Sequence, residues 1–242
     1  MSLRNSLARN LPFFRSKNLP MLNAIRVLYE DDSVVVFDKP SGLLSVPTPK
    51  NERNTLVNRV NEQCAASGAD PLYLCHRLDR DTSGAIIFAK GKGNLDAMTE
   101  AFRQREVAKR YVAFVRGRPR PDVGEIRLPI KDFHEQQSNR GRQAPAKSAL
   151  TRYKVVDARK KFSVVDVEPV TGRTNQIRIH FAKIGHPLLG ERLYAFGKDF
   201  PVKFPRLALH ACEITWRHPV LKKQITVTSE LAEDMADFWG RY

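Results

Sequence analysis

The sequence predicts an α+β fold, a mixed and largely antiparallel sheet with flanking helices. Three observations predict it. Apolar runs of strand length come in close pairs, Ile25–Glu30 with Ser33–Phe37 and Leu150–Asp157 with Phe162–Pro169; runs so close together pair as antiparallel hairpins. Helical periodicity is confined to a few stretches and does not alternate with strands in a βαβ rhythm. The 242 residues, 42% hydrophobic and 28% charged, are enough to bury one substantial core.

Taken in order, residues 1–24 read as a basic, flexible leader. They hold Arg4, Arg9, Arg15 and Lys17, no acid occurs before Glu30, and Pro12 and Pro20 break any element. A basic RNA-binding tail or disordered leader fits this stretch better than an organellar targeting peptide, which stays open as an alternative. A single catalytic domain is expected over residues 25–242. Asp31-Asp32 turns the first hairpin, Asp38 to Gly42 breaks its second strand, and Leu43 to Pro47 runs on extended. Thr55 is placed to cap a helix running to about Ala66, with Gly68 just past its end. Pro71–Cys75 and Ala85–Ala89 read as short buried strands. Asn94 is expected to cap a second helix whose Leu95, Met98 and Phe102 share a face. Tyr111–Val115 reads as a strand, left through a basic turn from Arg116 to Arg120.

Lys131 to Ser148 is polar and weakly patterned, a long loop carrying Arg140, Arg142 and Lys147. From about Asn175 the spacing of Ile177, Phe181 and Ile184 predicts a helix ended by Gly185. Three late strands are expected at Leu207–Ala211, Cys212–Trp216 and Gln224–Val227. Ser229 is expected to cap a final helix that docks Leu231, Met235 and Phe238 or Trp239.

The charge is far from balanced. Forty-one Lys and Arg against 26 Asp and Glu leave +15, which points to a polyanionic partner, nucleic acid ahead of an anionic membrane. Three unpaired-looking cysteines form no zinc pattern and no disulfide framework, as expected of a reduced, cytoplasmic protein. No apolar run approaches the roughly 20 residues of a membrane span. There is no phosphate-binding GxxxxGK[ST], no HExxH and no GxSxG, so neither metal nor cofactor is expected. A monomer without a membrane partner is the simplest assembly.

The most polar short stretch, His76 to Gly84, sits between two buried strands. As a plain turn, Asp79 or Asp81 would accept backbone N–H bonds and Gly84 would take a positive φ. As a site, Asp79 would be a carboxylate kept ionised and aimed by Arg77 or another arginine. Such a group suits attack at a sugar carbon or a base. Glycoside hydrolysis needs a second carboxyl group, and Asp81 stays open for that part.

His76-Arg77-Leu78-Asp79 followed by Thr82-Ser83-Gly84 resembles the central motif of the RluA-type pseudouridine synthases. Five further segments match in order: Asp38 to Leu43, Lys109 to Ala113, Thr171 to Arg178, Gly185 to Gly190 and Arg206 to Ala211. The match is closest to the compact subgroup that lacks an S4 RNA-binding domain. The resemblance implies an active-site cleft across the sheet and a cofactor-independent isomerase that breaks the N–C1′ bond of uridine, turns the base and rejoins C5 to C1′. It implies RNA as partner, namely a tRNA anticodon stem-loop, large-subunit rRNA or both. By position, Asp79 corresponds to the catalytic aspartate, Tyr111 to the residue that stacks on the target uracil and Arg178 to the arginine that pairs with the aspartate. Arg77 corresponds to the arginine that takes the place of the flipped nucleotide. His76, Arg173, Gln176 and Arg140 are expected to contact the RNA, with the basic loops around Arg116–Arg120 and Arg140–Lys147 binding phosphates. Two positions depart from the family pattern: Asn175 stands where His is usual, and Glu191 where Asp is usual. Both are expected to affect local geometry and RNA choice, not the reaction. An RNA-binding protein without catalysis and an N-glycosidase using Asp79 and Asp81 are the competing readings.

Overall fold

The computed structural model describes residues 25–131, 145–195 and 202–242. The expected leader and Arg140 lie outside the described residues. Ten strands form one sheet: β1 (Arg26–Glu30), β2 (Val34–Lys39), β3 (Leu72–Leu74), β4 (Ser83–Lys90), β5 (Ala108–Arg116), β6 (Val123–Arg127), β7 (Leu150–Ala158), β8 (Phe162–Pro169), β9 (Leu209–Arg217) and β10 (Gln224–Thr228). Four helices accompany them: α1 (Leu56–Ala66), α2 (Lys92–Arg103), α3 (Gln176–Lys183) and α4 (Glu233–Arg241). The spatial order is β1-β2-β4-β9-β5-β8-β7-β6, with β3 on β4 and β10 on β9. Every pairing between these strands is antiparallel except β4 with β9, where Ser83 and Gly84 lie beside His210 and Ala211. That short parallel contact joins the two halves of the sheet.

The two-residue period of the strands divides the core. Val35 and Phe37 of β2, Ile86 and Phe88 of β4 and Val165 and Val167 of β8 pack on one face with Leu56, Ile177 and Phe181 of the helices. Val34, Val36 and Ile87 point the other way and meet Met98 of α2 and Trp216. Phe114, Phe162 and Val164 meet Met235 and Phe238 of α4. Strands covered on both faces read as unbroken apolar runs, which is why β2 and β4 stand out in the sequence.

Most expected elements are present, and the differences have local causes. Thr55 caps α1 as expected, its hydroxyl accepting from the Asn58 amide at 3.3 Å. Asn94 does not cap α2. That helix starts at Lys92 behind Gly91, whose φ is +78°, and Asn94 Nδ2 donates to the Lys90 carbonyl. Ser229 does not cap α4, which starts at Glu233; its hydroxyl donates to Asp38 Oδ1 at 2.9 Å. Leu207–Ala211 and Cys212–Trp216 are not two strands. Leu209–Arg217 is one strand, and β6 was not expected. Ser83 and Gly84 are strand residues of β4 and not part of the turn. No helix among the described residues is long and apolar enough to cross a membrane.

Candidate active site

The polar stretch leaves β3 at Leu74 and returns as β4 at Ser83, so it is the connection of an antiparallel pair. The 39–45 segment grips it from the side. Lys39, fully buried, sends its ammonium to the carbonyls of Pro40, Leu43 and Arg80, and three acceptors match its three N–H groups. Burial pushes the Lys39 pKa down to about 7, with Asp81 and Asp79 opposing the shift. Ser45 Oγ accepts the Leu78 amide at 3.1 Å and donates to the Leu78 carbonyl at 2.7 Å. Gly42 and Ser41 bond the backbone at Arg80 and Asp81. The loop is thus fixed on both sides of Asp79.

Asp79 lines a cleft of about 140 Å³ together with Arg77, Lys109, Tyr111, Arg173 and Arg178. These residues come from the β3–β4 loop, from β5 and from the turn leading into α3. A register shift between Arg110 and Tyr111 in the β5–β9 pairing marks a bulge at the tyrosine, a device that re-aims side chains beside sites. The Tyr111 side chain is buried, and burial followed by the nearby Asp79 charge raises its phenol pKa. Arg178 sits in the first turn of α3. Its Nη1 lies 3.5 Å from Asp79 Oδ2. Burial lifts the Asp79 carboxyl above its ordinary value, while Arg178, Arg77 and Lys39 pull the other way. Asp79 is the only carboxylate among the described residues lining this cleft. Asp81 does not line it, so the paired-acid arrangement that an N-glycosidase reading relies on is not built here.

The other sequence-predicted residues separate. Arg77 is exposed at the cleft wall. Arg173 also lines it, with Nε donating to the Ser148 carbonyl at 3.3 Å. Gln176 is 4% exposed and its amide is fully used. Oε1 accepts from Thr171 Oγ1 and the Arg173 amide, and Nε2 donates to the Leu150 carbonyl and Thr151 Oγ1. It lines the cleft, and with two acceptor and two donor positions all occupied it shapes the 171–173 turn. His76 is a backbone anchor: its Nε2 accepts the Ile87 amide at 3.1 Å and its ring lies 5.0 Å from that of Phe102. Burial, then the Lys109 charge, pushes its pKa down to about 3. The basic turn after β5 is not at the cleft either. Gly117 is six residues beyond Tyr111, roughly 20 Å at the rise of an extended strand, and Arg118 and Arg120 are engaged by Asp122.

Sequence reasoning did not place Lys109 or Tyr194 in the site, and gave Glu191 a part in local geometry and RNA choice only. Lys109 enters the cleft 5.8 Å from the Phe102 ring, and burial lowers its pKa. Glu191 holds Arg178: Nε and Nη2 donate to its two oxygens at 2.7 and 2.9 Å. Asn175, in the left-handed region at φ +55°, accepts from Arg178 Nη1 at 3.0 Å and donates to the Tyr194 hydroxyl. The two departures from the family pattern therefore both lie on the guanidinium. That coincidence was the available signal. Thr82 Oγ1, buried at the cleft wall, has no hydrogen-bond partner among the described residues.

Comparison with known proteins identifies the family. The model of the RNA pseudouridylate synthase family matches residues 33–183. The dual-specificity RNA pseudouridine synthase RluA of Vibrio cholerae is 38% identical over 198 residues, covering 81% of this chain and 78% of that protein. The RluA protein of Escherichia coli K12 is 37% identical over 212 residues, covering 86% and 94%. YhcT of Bacillus subtilis, an uncharacterized RNA pseudouridine synthase, is 31% identical and covers 94% of this chain. Among solved structures, human RNA pseudouridylate synthase domain containing 4 superposes with a TM-score of 0.74 at 24% identity, covering 89% of this chain and 92% of that one; this likeness shows the fold. With the family model spanning most of the sheet and the relatives most of the chain, the protein belongs to the RluA-type RNA pseudouridine synthases and is an isomerase acting on RNA.

Proposed function

We propose that this enzyme isomerises specific uridines in structured RNA, a tRNA anticodon stem-loop, large-subunit rRNA or both, with Asp79 as its catalytic carboxylate. The observation that carries the reading is the meeting of Asp79, Tyr111 and Arg178, from three distant segments, in one cleft. The target atoms are inaccessible within a stack, so the nucleotide must be extruded, at a cost of a few kcal/mol. Tyr111 supplies a ring for the extruded uracil, and Arg77 is free at the wall to occupy the vacated place. Arg173 and Lys109 add positive charge for the flanking phosphates. Arg178 orients Asp79 without a tight pair. The isomerisation breaks the N–C1′ bond and forms C5–C1′ with no net change in atoms, so it consumes no co-reactant. The relatives named as dual-specificity enzymes support more than one RNA substrate.

The test is to incubate the protein with tRNA and rRNA fragments and map pseudouridine. Asp79→Asn removes the charge and keeps the shape; product should fall below detection while RNA affinity stays within about threefold, since phosphate contacts dominate affinity. A wild type that binds RNA and makes no pseudouridine on any cellular RNA would sink the proposal. Joint loss of binding and activity in Asp79→Asn would make Asp79 structural instead.

A further inference from the structure

Two carboxylates compete for Arg178. Glu191 takes it in a bidentate grip at 2.7 and 2.9 Å, whereas Asp79 is reached only at 3.5 Å. The Glu191 side chain has no solvent exposure, and its Oε1 also accepts the amides of Leu193 and Tyr194 at 2.8 and 3.3 Å. Asn175 Oδ1 takes Nη1 at 3.0 Å, and the Tyr194 ring lies 5.2 Å from the guanidinium carbon. The guanidinium is therefore fixed in plane, direction and distance by groups other than Asp79. Bidentate arginine–carboxylate pairs are strong and short. An Arg178 released from Glu191 is free to close on Asp79 in just that way. A carboxylate locked in such a pair is a poorer nucleophile or base, because its lone pairs are engaged and its anion stabilised.

Resting on the reading that Asp79 is the working carboxylate, we propose that Glu191, with Asn175, is a positioning residue that restrains Arg178 and keeps Asp79 loosely paired. The negative charge of Glu191 cancels part of the field that Arg178 exerts at Asp79. Burial raises the Glu191 carboxyl, but hydrogen bonds and charge from Arg178 outweigh this and hold it below the ordinary value, so it stays an anion at neutral pH. Burial, and not Glu191, is what raises the Asp79 carboxyl in spite of its arginine neighbour.

The experiment measures single-turnover rate against pH, RNA affinity and thermal melting for wild type, Glu191→Gln and Glu191→Asp. In Glu191→Gln the restraining charge is gone and Arg178 pairs fully with Asp79. The rate should fall about tenfold or more with affinity within about twofold, and the acid limb of the profile should move to lower pH, since a tighter partner favours the Asp79 anion. Glu191→Asp keeps the charge but shortens the reach, so its acid limb should stay where the wild type has it while the rate falls. A purely structural role would loosen Arg178 from both partners and move the limb of Glu191→Gln up or not at all; either result overturns the proposal. Should Glu191→Gln fail to fold, an acid limb displaced downward in Glu191→Asp overturns it as well. A wild type without product would refute the functional reading instead, and an active wild type with an unmoved Glu191→Gln profile refutes only the restraint.

Discussion

Gly84 is where the two halves of the sheet touch, and Gly84→Ala tests how much of the site depends on that contact. Its φ is +112°, and a Cβ there would lie 2.3 Å from the Ala211 carbonyl oxygen and 2.8 Å from Ala211 C and N. All three neighbours are backbone, so no side chain can swing aside and β4 must move from β9 by about 1 Å to reach ordinary van der Waals contact. The positive φ costs a residue with a Cβ about 1–2 kcal/mol, and forced repacking typically adds about 1–3 kcal/mol. A loss of roughly 2–5 kcal/mol is a large part of the usual 5–15 kcal/mol of a folded domain. Gly68→Ala is the control. Its φ is +69° and nothing lies within 4 Å of its Cβ position, so it should lose only the dihedral cost, about 1 kcal/mol. Urea unfolding of both variants isolates the contact, and pseudouridine formation per folded molecule reads its reach into the site, because Gly84 lies five residues from Asp79. Equal losses in the two variants, or full activity in Gly84→Ala, would refute the view that the parallel junction positions the loop.

Two more outcomes follow from the polar interior. His76 titrates near 3 in the folded protein against about 6.5 for free imidazole. The unfolded chain takes up its proton first, so the stability contributed by neutral His76 is complete above the free value and is lost as pH falls towards the folded one, on the order of 3 kcal/mol by about pH 4. Protonation also removes the lone pair that accepts the Ile87 amide. His76→Gln retains an acceptor without titrating, so its urea midpoint should fall less between neutral and acid pH than that of the wild type; an equal fall would show that other groups dominate acid unfolding. Gln176→Leu takes the acceptor from the Arg173 amide and the Thr171 hydroxyl, while the Leu150 carbonyl keeps the Val170 amide, and should cost about 1–3 kcal/mol. A loss of RNA affinity at full stability would instead return Gln176 to the binding surface.

Local chemistry made much of this molecule legible in one dimension. The buried strands β2, β4 and β8 appear as apolar runs, the α1 cap as Thr55, and the α3 stop as Gly185, which takes φ +85°. Where the sequence misleads, several chemistries are open to one residue. Asn94 and Ser229 are good caps by type, but each found a partner outside its helix start, Lys90 and Asp38. His76 and Gln176 are RNA-contacting residues by type, yet His76 Nε2 and the whole Gln176 amide are bonded to groups that only the folded chain brings near.

The sequence by itself marked the candidates for chemistry, Asp79 or Asp81 in the polar loop, the tyrosine of β5 and the arginine of α3, within motifs that identify the family, and it carries a strong positive charge. Tertiary structure alone decided their relations. Asp79 and Arg178 are 99 positions apart, and the 3.5 Å between them depends on where Glu191, a further 13 positions on, takes hold of the guanidinium. Such distances follow from the β4–β9 junction, the bulge at Tyr111 and the left-handed turn at Asn175. The physical reason is range. Propensity and periodicity act within one or two turns of chain, while hydrogen bonding and charge act across whatever contacts the packed core creates.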